Sequence, residues 1–414
     1  MIPRLLLLFA LLVPSAMAQR VVVVDAGNGP GTTHTSLAPA FADLQDGDLL
    51  VLRAGTYDAV VVSTPHSFVL QGEGSPVVVP TASLSQAMEV YLWGGATQRL
   101  VIQGVTFQSE RTGQWALTLA TFSNAWPAPT VHLEDCVVAS LSPQADRVAL
   151  LAQSIGLTVQ RCTLNTTQIV TSLATIVDST IVGHDLSTYL GFEQRAQTAL
   201  DVIRSKVWIV DSELRAGSSL GVYAEPAACL GFSDSSFTTG SVVHVCGDSS
   251  LQADAFPSPL WPVPSVLHNY AWFYPVQPNV QYEPTVVLTP SPAGPVFGGS
   301  ILSTSRILPS QTASSAPIGG VFTTTTRGTP GDTAYVFLSF TTYAQRLGDW
   351  ELILDESTMF LGAMGVLDAS GAGALPIPIP NLPSLRGACL EIGAATMTPA
   401  GLIELTNPAV GIVR

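Results

Sequence analysis

Charge is what this chain has least of. Only 11% of its 414 residues are charged, Lys206 is the single lysine, and the formal balance at pH 7 is −14. A surface so poor in basic groups repels phosphate backbones and anionic lipid headgroups, which excludes nucleic acid and membrane surfaces as partners. A strongly anionic polymer would need a local basic patch or bridging cations. Five cysteines show no CxxC spacing and the six histidines are scattered, so no zinc site is written in the sequence. GxSxG, P-loop and strand-borne GxGxxG motifs are also missing. Beyond the first residues there is no run of eighteen apolar residues that could span a bilayer.

The N-terminus carries Arg4, an apolar run from Leu5 to Val13 and a small-x-small site at Ala16-Met17-Ala18. This is the pattern of a secretory signal over 1–18, so a secreted, extracellular or cell-surface protein is expected to start near Gln19, without membrane insertion after cleavage. In that compartment the cysteines have two readings: two disulfides with one thiol left over, Cys229–Cys246 being the preferred pair, or five buried free thiols.

What is present is strand and turn. Residues are 47% hydrophobic, with 35 glycines and 30 prolines, a composition that supports many short strands rather than disorder. One six-residue frame, apolar-x-turn-small-x-apolar, recurs. It starts with Ile102-Gln103-Gly104-Val105-Thr106-Phe107, then Leu133-Glu134-Asp135-Cys136-Val137-Val138 and Val159-Gln160-Arg161-Cys162-Thr163-Leu164. The turn position returns at Asp178, Asp211 and Asp234, at unequal intervals that a coiled stack of strands absorbs in its outer loops. A second frame runs through Ala116–Leu119, Ala149–Ala152, Ala199–Val202, Gly221–Ala224 and Val242–Val245. Alternation puts Leu117, Leu150, Leu200, Val222 and Val243 on one face and Thr118, Leu151, Asp201, Tyr223 and His244 on the other.

Before these frames comes Ser36 with Leu37, Phe41 and Leu44 at helical spacing, then an Asp46-Gly47-Asp48 turn, Leu49–Leu52, Ala54-Gly55-Thr56-Tyr57 and Val60–Val62. This order resembles the first coil of pectin-lyase-like proteins. The resemblance implies an all-β fold, a right-handed parallel β-helix over 19–253 whose open end the helix covers. Residues 254–299 are proline-rich and read as a linker. From 300 to 414, alternating runs such as Ala334–Phe340 and Trp350–Leu354 read as a small antiparallel β-sandwich. Its tail, with Pro376–Asn381, Leu385-Arg386-Gly387 and Leu405-Thr406-Asn407, resembles a terminal module of secreted planctomycete-type proteins.

Two rows are candidates for chemistry. The acidic column Asp135, Asp178, Asp211 and Asp234 could bind Ca2+, the one cofactor worth testing, but the glycine at 104 marks it first as a column of left-handed bends. Arg161 interrupts it and is expected to need a different bend. The outward row holds Asp201, Tyr223 and His244, with Arg204 and Lys206 in the charged stretch beside them, a set able to perform general acid/base work on a glycan. The catalytic signatures of known β-helix enzymes are nevertheless missing. Asp58 does not occupy the Glu position of the GxYxE motif of pectin methylesterases, no QAVAL or DFIFG follows, and Gly183-His184-Asp185 is only a fragment of the polygalacturonase set. The sequence therefore points to a protein that interacts with extracellular polysaccharide or cell-surface glycan in a binding or scaffold role. A polysaccharide lyase or hydrolase is the alternative.

Overall fold

The computed structural model describes residues 19–84, 86–109, 115–122, 128–141, 148–185, 188–189, 192–193, 197–218, 227–233, 240–254, 266–269, 278–289, 300–339, 342–347, 350–354 and 359–414. The expected signal at 1–18 and the candidate Tyr223 lie outside these residues.

Three parallel sheets wind around one apolar core. We call them sheet A, with 11 strands, sheet B, with nine, and sheet C, with eight. The chain visits them in the order C, A, B. Leu150–Gln153, Gly156–Gln160 and Thr163–Asn165 form one coil, and Thr167–Val170, Leu173–Val177 and Thr180–Val182 form the next. This is a right-handed parallel β-helix, the hand that parallel crossovers of right-twisted strands adopt. Inward residues of successive coils stack into a single core that runs from Val22 to Val286.

One corner is tight in every coil, and the repeated frame encodes it. Between sheets A and B the turn position takes a left-handed backbone: φ is 64° at Gly104, 53° at Asp135, 47° at Asp178, 48° at Asp211 and 67° at Gly247. Glycine and aspartate share this position because both tolerate that region better than branched residues. Arg161 has φ 51°, so it makes the same bend as its neighbours rather than a different one. After Asp135, Arg161, Asp178 and Asp211 the next residue, Cys136, Cys162, Ser179 or Ser212, is small and buried, and it forms a ladder. Main-chain N–H groups of Cys162, Ser179 and Ser212 donate to the hydroxyls of Ser179, Ser212 and Ser249, each at 3.1 Å. The Cys136 N–H donates to Cys162 Sγ at 3.4 Å at the top of the same ladder. A matching ladder at the C-to-A corner runs from Ile155 through Ser172 to Ser205, beside left-handed Ser154, Thr171 and Arg204.

Two parts of the sequence reading change here. Asp234 lies outside the described residues, but Phe232, which opens its copy of the frame, ends a strand of sheet C and so does not lead into a sixth A-to-B corner; that corner belongs to Cys246-Gly247. The proline-rich stretch is not a linker in its described parts. Leu267–Asn269, Asn279–Tyr282 and Val287–Thr289 add strands to sheets C, A and B, and Ser300–Ser303 adds one more to sheet A. Pro278 and Pro284 abut these strands without entering them, so neither removes a ladder donor. The cysteines resolve to the second reading. All five are buried and free: Cys229 lies in the β-helix core, whereas Cys246 lies in a separate cluster outside sheet A.

The short helix Leu37–Ala42 covers the N-terminal end as expected, burying Leu37 and Ala40 and setting Phe41 edge-on to Phe68 at 5.6 Å. Ser36 stands at its N-cap position without a side-chain capping bond. Beyond the coils, two antiparallel sheets enclose Phe322, Ile377, Leu338 and Ile392 as a small sandwich.

The sandwich does not hang free. Its strand Cys389–Met397 and strand Ala409–Ile412 bury Cys389, Val410 and Ile412 against Leu49, Val51, Val69 and Val101 on the outer face of sheet A. Arginines then tie it to the A-to-B corners. Arg386 meets Glu73 at 2.9 Å, Arg327 meets Asp211 at 3.2 Å, and Arg414 meets Glu134 at 3.1 Å and also Asp135. Arg161 adds a bond to Asp135 at 2.9 Å.

Candidate functional site

With sheet A covered, the other sheets supply the open faces. Sheet C differs from sheet B in what surrounds it. The A-to-B connection is short in every coil, as little as Asp178 and Ser179, whereas the chain lengthens on entering sheet C, as at 183–199 and 216–229, and on leaving it, as at 122–129 and 233–241. Inserted chain thus joins both edges of one face.

Parallel register sets the residues of that face in columns, about 4.8 Å from strand to strand. One column runs Val61, Glu89, Thr118, Leu151, Gln168, Asp201 and Gly231. A second runs Ser63, Tyr91, Ala120, Gln153, Val170 and Ile203. Their alternating partners, such as Met88, Val90, Leu117, Leu150 and Leu200, fill the core, which is what directs these side chains outward.

The face has an aromatic end and a polar end. At the first, the Tyr91 and Phe122 rings stack at 5.0 Å with planes 12° apart, and Phe122 is 72% exposed. Trp93, 56% exposed, follows its strand as Phe122 follows the next one, where Thr121 pairs with Leu92. The Tyr91 hydroxyl donates to Glu89 Oε2 at 2.8 Å, which raises its pKa above the usual phenol value. At the polar end, Gln168 Nε2 donates to Asp201 Oδ2 at 2.9 Å and the Ser233 hydroxyl donates to Oδ1 at 3.0 Å. Burial pushes Asp201 above the ordinary carboxylate range, and those two donors partly oppose the shift.

Of the described members of the expected acid/base row, only Asp201 stands here. His244 belongs to sheet A, where it pairs with Trp208 in register and stacks on it at 5.6 Å. Lys206 is also in sheet A, its ammonium 4.7 Å from the Trp208 ring centre. Burial, helped by the Lys206 charge, lowers the His244 pKa to about 4, so the ring is neutral at pH 7. Arg204 makes the left-handed C-to-A bend. The error has a physical source: Val242–Val245 alternates like any half-buried strand, and alternation does not say which sheet a strand joins. Sequence reasoning also passed over Tyr91, Trp93 and Phe122. Glu89, Tyr91 and Trp93 alternate with apolar Met88, Val90 and Leu92, the signal that could have found them.

Two members of the acidic column are engaged in ion pairs. Asp135 and Asp211 are held by arginines, and among the described residues no group of three or more His, Cys, Asp or Glu could hold a metal ion.

These features define a parallel β-helix protein with a β-sandwich folded back along one of its sheets. No protein-family model matches the chain, and no curated protein does so either. Among solved structures it is similar in fold to pectin methylesterase PemA from Erwinia chrysanthemi, at 10% identity over 68% of this chain and 92% of that one, with a TM-score of 0.42. A pectin methylesterase in complex with a hexasaccharide gives 10% identity, coverage of 69% and 93%, and a TM-score of 0.43. Tailspike protein 2 of Escherichia coli O157:H7 bacteriophage CAB120 gives 10% identity, coverage of 92% and 61%, and a TM-score of 0.34. At this identity the likeness concerns the fold alone. Among the described residues no helix is long and apolar enough to cross a membrane.

Proposed function

We propose that the outer face of sheet C binds an extended extracellular glycan, without turning it over. The observation that carries this reading is the exposed Tyr91–Phe122 stack with Trp93 beside it, continued by the hydrogen-bonding row of Gln168 and Asp201. Sugar rings present flat C–H faces to aromatic rings and hydroxyls to carboxylates and amides, so an apolar platform followed by a polar row suits a chain of them. A face built of parallel columns repeats along the coil axis, as a linear polymer does.

A catalytic reading rests on Asp201 alone. Its raised pKa suits a proton donor, yet His244 and Lys206 lie on another sheet and among the described residues no second acid faces it within hydrogen-bond reach. The experiment is a glycan array probed with the purified protein and with the Trp93→Ala, Phe122→Ala double variant. Retention of glycans by the wild type and their loss from the variant is expected. Equal signals from both, or none from the wild type, would remove the reading. Incubation with uronic-acid polymers separates the alternative, since release of unsaturated or reducing ends would establish turnover.

A further inference from the structure

A second site lies away from sheet C. Where the first coils meet the sandwich there is a cavity of about 510 Å3 whose walls include Arg20, Arg99 and Arg386. The whole chain holds only 16 basic residues, so three guanidinium groups around one space is a marked concentration.

Two of the three are already engaged. Arg20 Nε donates to Asp48 Oδ1 at 2.9 Å, and Arg386 pairs with Glu73 across the seam at 2.9 Å. Arg99 is not. Its main-chain N–H donates to Ser67 Oγ at 3.1 Å, but its guanidinium has no hydrogen bond or ion pair among the described residues. The acids that line the cavity do not supply one: Asp48 also accepts from Gln45 N–H at 2.7 Å, and Asp46 accepts from Ser67 N–H at 2.7 Å. Glu391, the sandwich acid that senses Arg99, is buried and stays protonated up to about pH 8. A half-buried guanidinium without an ionised partner is costly to maintain unless something brings the counter-charge.

We propose that this cavity binds an oxyanion, a carboxylate or a sulfate group of an extracellular ligand, with Arg99 as its anchor and Arg386 closing on it from the sandwich. The planar fork of an arginine matches the paired oxygens of either group. Because Arg99 belongs to the β-helix and Arg386 to the sandwich, the bound anion also fastens one to the other.

The test uses the full chain, melted and titrated calorimetrically with sodium sulfate and with sodium galacturonate, against sodium chloride at equal ionic strength. Saturable binding with a rise in Tm beyond the chloride control is expected for at least one anion. Sulfate alone identifies sulfate esters, and galacturonate alone identifies uronates. Arg99→Gln should weaken binding about tenfold or more, the loss of a charge-assisted pair, with Arg99→Lys in between. Neither anion exceeding chloride, or Arg99→Gln binding like the wild type, would overturn the proposal. Should Arg99→Gln fail to fold, Arg386→Gln on the exposed side of the seam gives the same reading, and unchanged binding there is equally fatal.

Discussion

Single residues at the corners decide whether a coil can close. Asp178 sits at φ 47°, a conformation that costs a branched residue about 1–2 kcal/mol and glycine almost nothing. Asp178→Val is therefore expected to lower stability by about that amount in urea unfolding, while Asp178→Gly stays within about 0.5 kcal/mol of the wild type. Equal losses in the two would mean that the carboxylate, not the backbone, matters there. The cysteines give a second residue-scale check. All five are buried, and burial pushes the thiols of Cys162, Cys229, Cys246 and Cys389 up, to about 12 for Cys389, so none should react with a thiol reagent in the native protein and all five should react after denaturation. A count of fewer than five in the denatured, unreduced protein would reveal a disulfide.

Among elements, the ladders join neighbouring coils and explain the small residue that follows the turns at Asp135, Arg161, Asp178 and Asp211. Ser212 accepts from the Ser179 N–H at 3.1 Å and its hydroxyl donates to Val210 O at 2.7 Å. Ser212→Ala leaves a buried N–H without an acceptor and should cost about 1–3 kcal/mol. Ser212→Cys should recover much of that, because Cys162 already fills the same place. No difference between the two would show that the ladder contributes packing only. This is also the scale at which the sequence could be read and at which it misled. Gly104, Asp135, Arg161, Asp178 and Asp211 form a real column because a left-handed corner restricts residue type strongly. Val242–Val245 was placed on the wrong sheet because a strand's alternation records only which side faces a core. The proline-rich coil was hidden for a different reason: its strands, such as Leu267–Asn269, are too short to stand out from the connections between them. Of the candidate site only Asp201 was legible, since the exposed aromatics Trp93 and Phe122 lie just past strand ends, outside any repeated frame.

Over the whole molecule, the covered face of sheet A carries titratable groups whose environments oppose one another. His132 is 3% exposed, neither ring nitrogen has a partner, and burial lowers its pKa to about 4. Glu134 falls to about 2: burial opposes ionisation, but the nearby His132 and Arg161 and bonds from Ser315 and Gln103 outweigh it. Glu391 rises to about 8 by burial. By linkage, His132 contributes stability that is lost as pH falls from 6.5 to about 4, and Glu134 stability that is lost from 4.5 to about 2. Glu391 acts in the other direction, its contribution present below 4.5 and lost as pH rises to about 8. Between pH 4.5 and 6.5 the loss from Glu391 on raising the pH is opposed by the gains from His132 and His244, whose pKa is also lowered to about 4; above 6.5 Glu391 acts alone among these groups, so urea stability should decline from there to about pH 8. Glu391→Gln should remove the alkaline decline; persistence of that decline would place its cause elsewhere.

The division between a covered sheet A and an open sheet C is tested most directly by one comparison. A glycan retained on the array is titrated calorimetrically into the wild type, Phe122→Ala and His244→Ala. Removing an exposed stacked ring should weaken binding about tenfold, as aromatic contacts in recognition sites do, while His244→Ala binds like the wild type. Full affinity in Phe122→Ala together with its loss in His244→Ala would contradict the assignment and return the site to sheet A.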